Sequence, residues 1–399
     1  MNEANTGFDW SLDEDATWPP RGRPAPPFGP TVLEVMRSCP LRACFEASTG
    51  YERRTGRAAR IGTALHRTLQ SFAEDSLAGG SDAEKVEEAR FRFLRELEIQ
   101  EEERAKRPRE RGLPRDEMRI IMAIEKVIEE ALRAIRAGGS MLPENASSGT
   151  RAPYTFNRED DKSGLKGEQG PLVEVEVPVK SKDGLLYGRI DRVEHLTDGT
   201  HLVDYKSTLR TDLPDRYERQ LQLYALLWYE TCGEWPKGGE IIYLLSGSTY
   251  PISVEPEVCQ LVGAESRALI FSLQGASPAD QLATPGDVCR FCEFRPWCKP
   301  FWRWQASESS LLNALRRAVL GFEGEIVSVE AKDFHWKLLL NWRNCTIRII
   351  APVERFPQLQ NAKVGMRVRA LDMRLHGQQA QPQAIVTEIS ELFLLSRVV

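Results

Sequence analysis

Residues 185–229 read LLYGRIDRVEHLTDGTHLVDYKSTLRTDLPDRYERQLQLYALLWY, and the fold turns on them. Leu186, Gly188 and Ile190 alternate with polar neighbours, the period of a half-buried strand, and Asp191 points to the opposite face. Thr197-Asp198-Gly199-Thr200 carries the Asp-Gly signal of a hairpin turn. On the returning strand Leu202 and Asp204 alternate with Val203. The hairpin therefore brings Asp191 and Asp204 together on one side. Two neighbouring carboxylates repel unless a cation neutralises them, and oxygen ligands favour Mg²⁺ or Mn²⁺. Lys206 lies two residues beyond Asp204, on the same strand face. A lysine beside a metal-bound water can orient that water or stabilise charge on a phosphate under attack. Read without further context, the same residues are a solvated hairpin surface.

Working outward, Pro214–Cys232 has helical periodicity, with Leu221, Tyr224 or Ala225, and Trp228 as its apolar stripe. Gln220 and Tyr224 lie one turn apart on one face. Upstream, residues 58–77 form a helix striped by Ile61, Leu65, Leu69 and Phe72, with His66 one turn after Gly62. Residues 172–180, LVEVEVPVK, alternate strictly. Val173, Val175, Val177 and Val179 face one way; Glu174 and Glu176 face the other, either toward the carboxylates or toward solvent. Residues 239–246 and 250–254 read as further strands, and 257–274 as another helix.

Together, Asp191-x(12)-Asp204-Tyr205-Lys206, Gln220-Leu-Gln-Leu-Tyr224 and Gly62-Thr-Ala-Leu-His66 resemble the PD-(D/E)XK nuclease superfamily in its RecB-like branch, over roughly residues 31–300. The resemblance implies an α/β restriction-endonuclease-like core and a metal-dependent DNA nuclease, with DNA ends or single strands as substrate and exonuclease action. It implies roles in DNA repair or antiviral defence. Asp191, Asp204 and His66 would hold Mg²⁺ or Mn²⁺, with the Tyr205 carbonyl as a further ligand. Lys206 would orient the water or the scissile phosphate, and Gln220 and Tyr224 would assist the lysine and the DNA backbone. The rival expectation is a DNA-binding or regulatory subunit of a helicase or defence complex, built on a nuclease scaffold.

Cys289-Arg-Phe-Cys292 and Cys298 place three thiolates within ten residues. Such spacing marks a metal site that needs a fourth ligand, and zinc is the default reading. The family resemblance replaces it with a [4Fe–4S] cluster, structural in role, whose fourth ligand is Cys39 of Cys39-Pro40. Cys44 is the competing ligand.

The chain has 399 residues, 41% hydrophobic and 28% charged, with a formal charge of −5. These values describe a globular protein of several domains whose nucleic-acid contacts rely on local basic patches. No apolar run is long enough to span a bilayer, so no membrane partner is expected. The start, MNEANTGFDW, lacks the pattern of a secretion signal, and a cytoplasmic location is expected. The eight cysteines then favour thiols or metal ligands over disulfides.

Residues 1–30, acidic and then Pro-rich, read as a poorly ordered tail; Trp10 and Trp18 are its aromatics. Residues 31–48 begin a helix capped by Thr31. Residues 31–304 form the nuclease domain, with a helical insertion at about 80–140. Within it, 82–106 is a charged helix and 115–137 packs Ile121, Ile124, Ile128 and Ile135 into a core. Residues 138–170 read as a loop, and 305–318 as a short linking helix.

Beyond it, 321–329, 334–341, 344–350, 365–374 and 383–394 alternate as five strands. They make 305–399 a small all-β barrel, OB-like first and SH3-like second. This segment holds twelve Lys/Arg against nine Asp/Glu. Phe334, Trp336 and Trp342 lie among Lys332, Lys337, Arg343 and Arg348. Interleaving of that kind suits stacking on single-stranded bases, and equally suits core aromatics beneath solvated charges.

Overall fold

The computed structural model describes residues 10–13, 17–74, 77, 80–110, 113–136, 172–274, 278–307, 319–343, 345–376 and 382–395. A two-residue strand β1 (Ser11–Leu12) precedes two short helices, α1 (Pro30–Ser38) and α2 (Pro40–Glu46). Helices α3 (Arg57–Glu74), α4 (Asp82–Ala105) and α5 (Glu117–Arg136) follow. Then come β2 (Leu172–Lys180), β3 (Tyr187–Leu196), β4 (Gly199–Lys206), α6 (Asp215–Cys232), β5 (Gly238–Tyr243), β6 (Thr249–Ile252) and α7 (Pro256–Gln274). The last elements are α8 (Lys299–Ser307), β7 (Val319–Lys332), β8 (His335–Trp342), β9 (Cys345–Pro352), β10 (Arg367–His376), β11 (Gln383–Ile385) and β12 (Glu391–Leu395).

The central sheet runs β2-β3-β4-β5-β6. All pairs are antiparallel except β4 with β5, and α6 makes the crossover that a parallel pair requires. One face of the sheet packs on α1, α2, α6 and α7, burying Ile190, Val193, Leu202 and Ile241. Gly188 lets α6 lie close: a Cβ there would come within 2.6 Å of the Tyr224 ring. On the other side, α3, α4 and α5 form their own core, which reaches the sheet through Leu244 and Tyr205.

The C-terminal strands form a seven-stranded sheet in the order β1-β12-β10-β11-β9-β8-β7. Because β10 also pairs with β7, hydrogen bonds close a ring through β7, β8, β9, β11 and β10. Its core includes Phe322, Leu338, Ile349 and Leu392. The segment expected as one strand over 383–394 is two, β11 and β12; both pair with β10, and beyond it β11 pairs with β9 and β12 with β1. Helix α8 lies mostly before the expected linking helix, and 308–318 falls outside the described residues, as does the expected loop at 138–170.

Four expectations need correction. The described part of the tail is docked: β1 pairs with β12, Leu12 and Phe28 are buried, and Phe28 exchanges backbone hydrogen bonds with Leu185 and Tyr187. Trp10 and Trp18 pack within the chain, on Phe393 and Phe45. The helix from 31 is two helices, because Pro40 has no N–H to continue α1; Gly29, not Thr31, is the N-cap. On α5 the buried stripe is Ile120, Ala123, Val127 and Ala131, whereas Ile121 is exposed and Ile124, Ile128 and Ile135 are half-buried. Beyond Ile120 that helix faces its neighbours mainly through Ala123, Val127 and Ala131, with Ile124 packed beside them. Finally, the valines of β2 do not share a face. Val173 and Val175 line a cleft beside α3, while Val177 and Val179 join the core under α6. The switch occurs at Glu176, whose φ is +53°.

A buried ion pair ties the C-terminal sheet to the rest. Arg109 donates two 2.8 Å hydrogen bonds to the Glu391 carboxylate and a third, of 2.9 Å, to the Glu293 carbonyl. Burial alone would raise the Glu391 carboxyl; the Arg109 charge and hydrogen bonds outweigh it and hold the group below the usual range. Glu391→Gln leaves a buried guanidinium without its main counter-charge and is expected to cost about 3 kcal/mol of unfolding free energy, measured by urea denaturation. Because the folded value is depressed, this contribution is full above about pH 4.3 and is lost as the pH falls further. The wild-type midpoint should therefore drop more steeply than that of Glu391→Gln below that pH.

Candidate active site

Strands β3 and β4 separate just beyond the Arg192–Val203 pair, and the two aspartates stand in that opening. Asp191 Oδ2 accepts the Tyr205 N–H at 2.7 Å and lies 3.2 Å from His66 Nε2. Asp204 is only 1% exposed. Its Oδ2 is 2.5 Å from Lys206 Nζ, and its Oδ1 accepts from Gln220 Nε2 at 3.1 Å. The other end of the same amide, Gln220 Oε1, accepts from Lys206 Nζ at 2.9 Å. Gln220 Nε2 also donates to the Tyr224 hydroxyl at 3.1 Å. Helix α6 thus delivers an amide that bridges the carboxylate and the lysine of β4.

Helix α3 supplies His66, and Gly62 sets how closely that helix approaches β4. A Cβ on Gly62 would sit 1.9 Å from Ser207 Oγ, immediately after Lys206. The spacing of Gly62 and His66 is therefore a distance constraint: one turn above the contact, the imidazole reaches Asp191.

The structure brings His66, Asp191 and Glu176 into one cluster. Ligand atoms of these three lie within 4.8 Å of one another. Glu176 Oε1 is 3.5 Å from His66 Nδ1, and Glu176 Oε2 is 3.5 Å from Arg189. Asp204, expected beside His66 and Asp191, instead turns its carboxylate to Lys206 and Gln220. The choice between the two β2 glutamates is resolved by position. Glu176 occupies the place between Val175 and Val177 that opposes Asp191, whereas Glu174 pairs with His195 at 2.7 Å. Only the β2–β3 register selects it, and no local sequence signal encodes that register.

The electrostatics suit a cation. Burial pushes Asp204 up; Lys206 opposes that shift and Asp191 adds to it. Burial likewise raises Glu176. The Asp191 hydrogen bond raises His66 against its own burial. Burial drives the Tyr224 phenol far above its ordinary value, so it stays protonated. The two carboxylates of Asp191 and Glu176 beside the His66 imidazole form a hard-donor set that fits a divalent ion. Beside them opens a cleft with an apolar floor of Leu69, Phe72, Val175 and Leu244.

The four cysteines singled out by spacing line one cavity: Cys39 from the α1–α2 break, with Cys289, Cys292 and Cys298 from the segment before α8. Cys44 does not line it; it is buried in the α2 core. Among the described residues no three sulfurs lie within 4.8 Å of one another. A single zinc with 2.3 Å bonds needs all four within about 3.8 Å. Burial raises the Cys292 thiol to about 12 and lifts Cys298 well above its ordinary value.

In the C-terminal sheet the expected nucleic-acid residues divide between the two faces of β8. Trp336 and Trp342 pack against the ring's core, and Trp342 contacts Phe322 with ring centroids 5.6 Å apart. Lys337, odd in the same alternation, faces away from that core. Arg343 lies over Trp342 and donates to the carbonyls of Gln305 and Ala306.

A mixed sheet whose opened hairpin end gathers two aspartates, a lysine and an imidazole is the arrangement to set beside known families. The family model of the PD-(D/E)XK nuclease superfamily matches residues 27–299, and the chain belongs to that superfamily, whose members are typically metal-dependent phosphodiesterases. No curated protein matches the chain. Among solved structures, SSO0001 is similar at 12% identity, over 68% of this chain and 95% of its own, with a TM-score of 0.25. A replication factor A related protein from Methanobacterium thermoautotrophicum is similar at 12% identity, over 19% of this chain and 80% of its own, with a TM-score of 0.17. A murine DNA binding protein bound with double-stranded DNA is similar at 8% identity, over 57% of this chain and all of its own, with a TM-score of 0.19.

Protonation competes with a cation for Asp204, Glu176 and His66, all raised above their ordinary values. Mn²⁺ affinity, measured calorimetrically, is therefore expected to fall at least about tenfold between pH 7.5 and 5.5, with more protons released per ion at the lower pH. Gly62→Ala should weaken Mn²⁺ binding by pushing α3 from β4, and Ser207→Gly in the same chain should restore part of the affinity.

Proposed function

We propose that this protein is a metal-dependent DNA nuclease of the RecB-like type, acting as an exonuclease on DNA ends or single strands in DNA repair or antiviral defence. The observation that carries the reading is the buried Asp204 carboxylate paired with Lys206 and bridged to it by Gln220, within electrostatic reach of Asp191 and His66. Asp191, Asp204 and His66 hold Mg²⁺ or Mn²⁺, with Glu176 as an additional carboxylate. Such an ion, when bound, supplies a Lewis acid and a water acidic enough to attack phosphorus.

The chain's own residues do the rest. His66, oriented by Asp191 and Glu176, fixes the ligand face of α3. Lys206 points its ammonium at the attacking water or a non-bridging phosphate oxygen. Gln220 holds the lysine by its oxygen while its nitrogen keeps the Asp204 carboxylate turned inward. Tyr224, buried and protonated, anchors the amide and so fixes which end faces the lysine. DNA is the partner, with a helicase or defence complex as its protein partner, and the location is cytoplasmic.

We further assign Cys39, Cys289, Cys292 and Cys298 to a structural [4Fe–4S] cluster. The cavity that all four line, together with the Cys-x2-Cys-x5-Cys spacing and the family resemblance, supports this. Phosphodiester hydrolysis moves no electrons, so the cluster's work is to fasten α1 and α2 to the segment before α8.

The deciding experiment is cleavage of end-labelled single and double strands with Mg²⁺ or Mn²⁺. Asp204→Asn and Lys206→Met are expected to lower the rate by about a hundredfold or more; Lys206→Met, which leaves Asp204 buried without its counter-charge, should also lower the melting temperature while the protein still folds. Full activity in either variant ends the assignment. Protein purified without air is expected to be brown, with about four irons per chain. Cys39→Ser should bleach it and Cys44→Ser should not; a colourless protein with one zinc rejects the cluster.

A further inference from the structure

Lys206 has a third neighbour besides Asp204 and Gln220. Its Nζ lies 5.0 Å from the centroid of the Tyr217 ring, within cation–π range. Tyr217 stands in the first turn of α6, three residues before Gln220, so one helix face presents a ring and an amide to the same ammonium. The ring is half-buried and held in place. It meets Tyr243 edge-on with centroids 6.1 Å apart, and Tyr243 meets Tyr250 at 5.2 Å. Those two tyrosines also secure the loop that leads from Lys206 to α6: the Tyr243 hydroxyl donates to the Asp212 carbonyl and the Tyr250 hydroxyl to the Thr211 carbonyl, each at 2.6 Å.

We infer that Tyr217 is a positioning residue for Lys206, acting through the face of its ring. The inference rests on the role proposed above for Lys206. Asp204 serves both as the lysine's counter-charge and as a carboxylate for the cation. A carboxylate shared with a divalent ion attracts the ammonium less. The Gln220 oxygen, already held by the lysine at 2.9 Å, and the Tyr217 ring, whose face offers a hard cation no oxygen donor, remain. They keep the ammonium aimed when the carboxylate's pull weakens. The hydroxyl has no part in this, because the attraction comes from the ring quadrupole.

The test compares single-turnover cleavage of an end-labelled single strand at saturating Mn²⁺. Tyr217→Phe keeps the ring and should stay within about twofold of wild type, whereas Tyr217→Leu should lose about three- to thirtyfold. DNA affinity and Mn²⁺ affinity should not change. In a Lys206→Met background, Tyr217→Leu should have no further effect. Replacing Tyr217 by phenylalanines of increasing ring fluorination keeps the shape and weakens the negative face. The rate should fall along that series, which answers the case in which Tyr217→Leu fails to fold.

Equal rates along the fluorinated series, a Tyr217→Phe as slow as Tyr217→Leu, or the same loss with and without Lys206 overturns the inference and leaves the nuclease reading intact. Full activity in Lys206→Met overturns both.

Discussion

The buried charge pair at the end of β4 is the constraint on which the site depends. A carboxylate removed from water survives only with a counter-charge and hydrogen bonds, and Asp204 has Lys206 for the first and the Gln220 amide for the second. Such a pair adds little to stability compared with an apolar substitute. Its presence under a helix is therefore best explained by chemistry. Every neighbouring element is arranged to keep it: α6 crosses close enough for Gln220 because Gly188 leaves room for Tyr224, and α3 comes close enough for His66 because Gly62 leaves room for Ser207.

A second constraint lies where the cysteine segment meets the C-terminal sheet. Arg295, between Cys292 and Cys298, makes a bidentate pair with Asp372 of β10 at 2.9 and 2.7 Å, and its Nε donates to the Cys292 carbonyl. Arg369 donates to the Pro296 carbonyl, and Arg109 reaches both Glu391 and the Glu293 carbonyl. The segment that carries three cysteines is thus gripped from the C-terminal side by arginines and acids, and faces α1 and α2 from the other. Phe393 and Leu395 of β12 share an apolar core with α2 and α6. The C-terminal strands are consequently part of the same packed body, and β1, from the other end of the chain, completes their edge.

The interior tyrosines illustrate how one side chain serves fold and site together. Tyr224 fills the space over Gly188 and orients Gln220; Tyr243 packs in the sheet core and holds the Asp212 carbonyl. In both cases the ring is buried against the sheet while the hydroxyl finds a polar partner, the arrangement that makes a buried phenol tolerable.

Local pattern alone determined much of this protein. The hairpin, the placement of Asp191, Asp204 and Lys206, the helix bearing Gln220 and Tyr224, and the helix bearing His66 all follow from short periodic runs and one Asp-Gly turn. Each depends on neighbours within a few residues. Cys39 and Cys289, 250 positions apart, shared a wall only once the ends of the domain had packed. Glu176 could not be told from Glu174 without the β2–β3 register, and its left-handed backbone turned the strict alternation of β2 into a change of face. The aromatic and basic residues of β8 looked like one surface because sequence order hides which face each occupies. Alternation sent Trp336 and Trp342 inward and Lys337 outward. Partners brought together from distant segments decided these points, and their register is set by packing, which no single stretch of the chain contains.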